Sequence, residues 1–230
     1  MTNKTIFTLP EIVRDDQLTA HEYVYARLRN GLMVGTIAPG TPLKIRALAD
    51  YLGISPTPVR EALRRLCSET ALEVLSNRRI IVPQMTIARF EELILLRVRL
   101  ECLAAERALP YVSDILIERM ATIDTRMDAA IREHKHDALT VLNQTFHKLL
   151  YTAYPDQVAM PLIESIWLQL GPFQRQVIDR VMRYYLVDRH KEILDALKAR
   201  NAIDLCVATE ADIRDGIGRA GREVMKEKSE

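Results

Sequence analysis

Asn143 and His147 stand four residues apart, so any helix that contains both carries them on one face. Leu139, Phe146 and Leu150 share that face, which therefore points inward, and two polar groups on a buried stripe need partners. The imidazole is either a hydrogen-bonded core residue or part of a site completed from another helix. Arg97 poses the same question, with Leu93-Ile-Leu-Leu96 before it and Leu100 after it. An arginine among such neighbours needs an anion. Glu101, four residues on, is one; a carboxylate from outside the chain is the other. A third group opens at Ser55-Pro56-Thr57-Pro58. Val59, Ala62, Leu63 and Leu66 form a stripe there; Thr57, Glu61 and Arg64 face away from it, with Arg60 and Arg65 on the shoulders. Those arginines make either a solvated helix face or a row of guanidinium forks able to grip guanine O6 and N7.

The elements that must position these groups are mostly helices. In 230 residues there are only 8 glycines and 10 prolines, too few for an all-β chain of this length. Thr19 can cap a helix to about Val34, with Gly35 as its stop, and Ala38-Pro-Gly-Thr-Pro42 is a turn. Ile45, Leu48, Ala49 and Leu52 make a short helix ended by Gly53. Two prolines cost the next helix little, because first-turn N–H groups have no intrahelical partner; Ser55 or Thr57 is the cap. Leu72–Leu75 and Ile80–Pro83 then read as a hairpin around the polar tip Ser76-Asn77-Arg78-Arg79. From Thr86 to Lys228 only helical periodicity remains. Its breaks fall near Pro110, His134–Asp137, Pro155, Gly171-Pro172, Tyr184–Asp188 and Arg200-Asn201.

The expected fold is mainly α. An arm (1–18) precedes a winged helix-turn-helix with a small β-hairpin wing (19–85), and an all-α bundle of six or seven helices follows (86–230). The net charge is +1, yet residues 1–85 hold 11 basic and 8 acidic side chains, leaving 21 and 23 for the remainder: +3 against −2. Cys67, Cys102 and Cys206 are odd in number and far apart, so they form neither a disulfide framework nor a zinc-ligand spacing. With no apolar run long enough for a membrane span and no secretion signal, the expected compartment is a reducing cytoplasm.

Three short helices and a hairpin in this order have a DNA logic. The helix after the turn enters the major groove with its exposed face, and the tip Asn77-Arg78-Arg79 brings charge to phosphates or the minor groove. The segments Ala38–Ala49 and Leu52–Leu66, with the run Ser55-Pro-Thr-Pro-Val-Arg-Glu-Ala-Leu-Arg-Arg-Leu66, resemble the DNA-binding domain of the GntR family of bacterial transcriptional regulators. The resemblance places DNA contacts on Arg46 and Arg60, and with them Ser55, Thr57, Arg64, Asn77, Arg78 and Arg79 make the expected DNA-binding set. Two positions depart from the pattern: Pro56 replaces a frequent arginine, and Arg79 the usual wing-tip glycine.

The second half resembles the helical FCD domain of the FadR branch of that family, through Arg97-Val-Arg-Leu-Glu101, Leu142-Asn143-Gln-Thr-Phe146-His147, Ile163–Pro172 and Arg189–Leu194. Members of the metal-binding type often use one Asp and three His. Here the resemblance implies Asn143, His147, His190 and Asp212, with one carboxylate lost and one gained. Two imidazoles, a carboxylate and an amide oxygen suit Zn, Ni, Mn or Fe with open positions. The implied protein is no enzyme but a homodimeric regulator of operator DNA. It senses a small organic acid at a metal-containing pocket, with Arg97 as a candidate effector contact. A metal-dependent enzyme on a helical bundle is the alternative.

Overall fold

The computed structural model describes residues 7–11, 18–184 and 189–227; of 179–184 only the backbone is described. Most of the expected arm and the expected break over 185–188 lie outside the described residues. Within the arm, Leu9 is buried and its carbonyl accepts from Arg27 Nη2 at 3.2 Å.

The chain divides into two compact units: Met1–Met85 with Trp167–Arg175, and Thr86–Ile166 with Gln176–Glu230. The first is built on α1 (Ala20–Met33), α2 (Ile45–Leu52) and α3 (Pro56–Ser68). Thr19 and Glu22 close a reciprocal capping box at the start of α1, worth about 1 kcal/mol. Gly53 ends α2 in the left-handed conformation at φ +66°. Ser55 precedes α3 in extended geometry with Pro56 in the first turn, and its side chain makes no capping bond. Val59, Ala62, Leu63 and Leu66 are buried, the stripe expected from the sequence. The wing pairs β1 (Glu73–Val74) with β2 (Ile80–Ile81) antiparallel, and Pro42 bridges Ile81 on the other side.

The second unit contains α4 (Ile87–Ala108), α5 (Asp114–Arg132), α6 (His136–Tyr151), α8 (Arg189–Lys198), α9 (Ala202–Ile213) and α10 (Arg219–Glu227). Between α9 and α10 the chain winds wider, as a π-turn over Arg214–Gly218, with Gly216 at ψ −110°. Helix α7 (Ala159–Tyr184) corrects one expectation, for it runs unbroken through Gly171-Pro172. Pro172 forfeits one backbone hydrogen bond, and Gly171 is there for space rather than as a stop. A Cβ on Gly171 would lie 2.3 Å from the Leu32 carbonyl oxygen, within the first unit.

Candidate DNA-reading face and sensor site

On α3 the sequence produces two kinds of arginine. Arg65 stacks over the Tyr25 ring at 3.8 Å and reaches Glu69 at 3.1 Å, while the Tyr25 hydroxyl donates to Glu69 Oε1 at 2.8 Å. This knot ties α1 to α3 and occupies Arg65 with partners of its own unit, although the side chain stays exposed. Arg60, one turn earlier, is exposed, as is Arg46 on α2, and neither side chain makes an ion pair or hydrogen bond among the described residues. Arg64 is also exposed, held by Glu61 at 2.6 Å. Ser55 and Thr57 are exposed at the same end of α3.

The wing tip is a three-residue loop. Leu75 N donates to Arg79 O at 2.8 Å, and Asn77 Oδ1 accepts from Arg79 N at 3.1 Å. Arg78 takes the left-handed conformation at φ +61°, the place a glycine usually fills in such loops. Asn77, Arg78 and Arg79 are all exposed. Eight DNA-facing candidates thus sit in solvent, over a core that uses none of them.

In the second unit the polar groups are inside. Donor atoms of His147, His190 and Asp212, from α6, α8 and α9, lie within 4.8 Å of one another, and all three residues are buried. His147 Nε2 is 3.2 Å from Asp212 Oδ2, and His190 Nε2 is 3.7 Å from Asp212 Oδ1. Asn143, half-buried, presents its amide nitrogen to His190 Nε2 at 3.1 Å.

Supporting contacts fix the ring tautomers. The Arg97 guanidinium donates from Nε to Glu101 Oε1 at 2.6 Å, so of the two anions open to Arg97 in the sequence, Glu101 is the one in contact. Burial alone would lower the Arg97 pKa; the Glu101 charge and hydrogen bond outweigh it and hold the guanidinium above its usual value. Tyr151 gives its one hydroxyl proton to Glu101 Oε2 at 2.9 Å. Burial and the adjacent Glu101 carboxylate push the phenol well above its ordinary pKa, which keeps that proton in place. Its oxygen can then only accept from His147 Nδ1, 3.2 Å away, so the His147 proton sits on Nδ1. On the other ring, Asp124 Oδ1 lies 3.3 Å from His190 Nδ1 and draws the proton there. Both Nε2 lone pairs are thereby aimed at the same space.

One of them is left over. His147 Nε2 is buried and makes no hydrogen bond, although a carboxylate oxygen lies 3.2 Å away. A lone pair facing a carboxylate calls for a cation between them, or a second proton on the ring. The donor chemistry, two imidazoles and a carboxylate, fits a first-row divalent ion.

Asp124 and Tyr151 are the two residues sequence reasoning missed. Asp124 falls on the apolar stripe of α5 with Ile117, Met120 and Met127, and a lone carboxylate on such a stripe is the legible signal. Tyr151 repeats the Asn143–His147 spacing one turn further along α6. Beside the site, Arg189 binds Asp215 of the π-turn at 2.6 Å, tying the first residue of α8 to the chain just past Asp212.

Comparison with known proteins agrees with both halves. Residues 20–82 match the model of the bacterial regulatory proteins of the gntR family, and residues 92–215 match that of the FCD domain. The chain belongs to the GntR family, in its FCD-bearing branch. This GntR protein is 27% identical over 178 residues to the transcriptional regulator McbR of Escherichia coli K12, covering 76% of this chain and 80% of the relative. It is 24% identical over 211 residues to the repressor RspR of the same organism, covering 91% and 92%. The gluconate operon repressor of Bacillus subtilis is 27% identical over 165 residues, 72% of this chain and 66% of the relative. In fold, the solved structure of E. coli McbR superposes with a TM-score of 0.81 at 22% identity, over 90% of this chain and all of the other. A Rhodococcus GntR regulator superposes at 0.72 and 23% identity, covering 87% and 96%. The matched families and relatives are transcriptional regulators, not enzymes, so the alternative of a metal-dependent enzyme falls away.

Proposed function

We propose that this DNA-binding regulator is controlled by a small organic acid bound in a helical pocket that holds a divalent metal ion. The observation that carries the reading is the buried, unbonded Nε2 of His147 turned toward Asp212. His147, His190 and Asp212 would hold the ion. Asn143 now caps the His190 lone pair with its amide N–H, and the flipped amide would offer its oxygen instead. Bound there, the ion would supply open positions for an effector carboxylate, and Zn, Ni, Mn and Fe all accept this donor set. Arg97 braces the pocket from α4 through Glu101 and Tyr151, and an incoming anion would compete with Glu101 for it. A carboxylate effector is in keeping with one relative's being named for the gluconate operon, gluconate being a sugar acid.

At the other end, Arg46, Ser55, Thr57, Arg60 and Arg64 would meet the major groove, and Asn77, Arg78 and Arg79 the phosphates or minor groove beside it. The working division remains 19–85 for DNA and 86–230 for sensing and dimerisation. A homodimer follows from half-site geometry: one winged helix reads one half-site, and paired half-sites demand two-fold symmetry. The expected compartment is the cytoplasm, where scattered cysteines stay reduced.

The test is metal analysis of the purified protein with operator titrations, with and without chelator. His147→Ala is expected to abolish metal content and effector response together while basal operator affinity persists. A metal-free wild-type protein, indifferent in melting temperature and effector response to chelator and to His147→Ala, would reduce the cluster to a core polar network.

A further inference from the structure

Cysteines that looked unrelated in the sequence meet in the fold. Cys102 on α4 donates its thiol to the Cys206 carbonyl oxygen on α9 at 3.4 Å, across 104 residues of chain. Cys102 is 7% exposed, whereas Cys206 is half-buried. The flanking Ile203 and Val207 stand well out in solvent, so of the two cysteines Cys206 lies nearer the surface. Neither residue takes part in DNA contact or in the His147 cluster.

We propose that Cys102 and Cys206 form a peroxide-oxidised dithiol whose disulfide staples α4 to α9. The two sulfurs divide the chemistry by exposure. The less buried Cys206 thiolate attacks a hydroperoxide oxygen; the O–O bond breaks, and the departing oxygen leaves as water or alcohol with the thiol's proton. Cys206 is then a sulfenic acid. The Cys102 sulfur attacks it, the S–O bond breaks, and hydroxide leaves as water with the Cys102 proton. Two thiols and one hydroperoxide thus give one disulfide, one water and one water or alcohol. Burial, then the hydrogen bond to Cys206 and the nearby carboxylates, push the Cys102 thiol far up, so it stays protonated and unreactive until a sulfenic acid forms against it. Cys102 adjoins Glu101, and Cys206 lies six residues before Asp212 on α9. The staple therefore joins the helix that bears the Arg97–Glu101 brace to the one that bears Asp212.

The experiment exposes the full-length chain to a small excess of hydrogen peroxide. Remaining thiols are alkylated under denaturing conditions, and intact mass and non-reducing peptide maps are recorded. Expected are a loss of two hydrogens, a Cys102–Cys206 cross-link within one chain, one alkylated thiol at Cys67, and recovery of all three thiols with dithiothreitol. Cys206→Ser should form no disulfide. Cys102→Ala should stop at a Cys206 sulfenic acid that dimedone traps. Because the closed loop is long, the oxidised wild type should melt about 4 °C or more above the reduced form, a shift absent in both variants. Three alkylatable thiols after treatment, a cross-link through Cys67 or between chains, a Cys206 sulfinate beside an intact Cys102 thiol, or no rise in melting temperature would each overturn the proposal.

Discussion

Arg60 and Arg97 are each one arginine on one helix, and they sit in opposite worlds. Arg60 is exposed without an ion pair, on a helix whose buried stripe is complete without it. Arg97 is 8% exposed, and its charge is met inside the protein by Glu101, itself fully buried. The first arginine adds little to folding and is free for a partner. The second is neutralised within the core and acts through what it holds: Glu101, then Tyr151, then His147. The exposed arginines of α3 that make no contact in their own unit can therefore change with little effect on stability, whereas the buried polar cluster and the fold of its unit are one network.

The widest gap is expected from Glu101→Ala, which strips a buried guanidinium of its counter-charge. Urea unfolding should show a loss of about 3–5 kcal/mol. A loss under 1 kcal/mol would mean that the brace is dispensable and the contrast with Arg60 unfounded. Tyr151→Phe is gentler: it leaves His147 Nδ1–H and Glu101 Oε2 each short of a partner, at about 1–3 kcal/mol. With the tautomer no longer fixed, metal affinity measured by competition with a chromophoric chelator should fall about 10–100-fold. An unchanged affinity would detach Tyr151 from the site. On the other side, Arg60→Ala should weaken operator binding by about 1–3 kcal/mol in anisotropy titrations while its unfolding curve overlays the wild type's. If stability falls instead, the two regions are not the opposites described.

The smallest effect is expected at the wing tip. Arg78→Gly relieves a left-handed backbone in a residue with a Cβ, worth about 0.5–1 kcal/mol of stability by thermal unfolding. It also removes one charge from DNA, so the slope of log affinity against log salt should shrink by about one. Stability and binding moving in opposite directions is the signature of a residue placed for its charge against its backbone preference. Both moving down would show that Arg78 packs against something in its own unit.

How much of this was legible follows the same divide. The N-terminal helices, their caps and the α3 stripe could be read locally, because capping, proline position and period are properties of consecutive residues. Arg78 rather than Arg79 as the strained tip residue could not be, since it depends on which pair closes the hairpin. In the helical unit, the inward Asn143–His147 face and the Arg97–Glu101 pair were visible at i+4 spacing, while His190 and Asp212 came only through family resemblance. What stayed hidden were relations across helices: Asp124 behind His190, Tyr151 as the link between Glu101 and His147, and Cys102 against Cys206. The same limit explains α7, where Pro172 reads as a break until the space around Gly171 is known.

The residues of the proposed sensor pocket are strung out from Arg97 to Asp212, on helices that span Ile87–Ile213. During synthesis the ribosome must therefore release α9 before His147 has a carboxylate to face. A domain generally folds as a unit once its chain is available, so an ion held there as proposed would arrive last. Under the proposed function, such an ion would bind a unit whose helices are already made rather than a half-made chain.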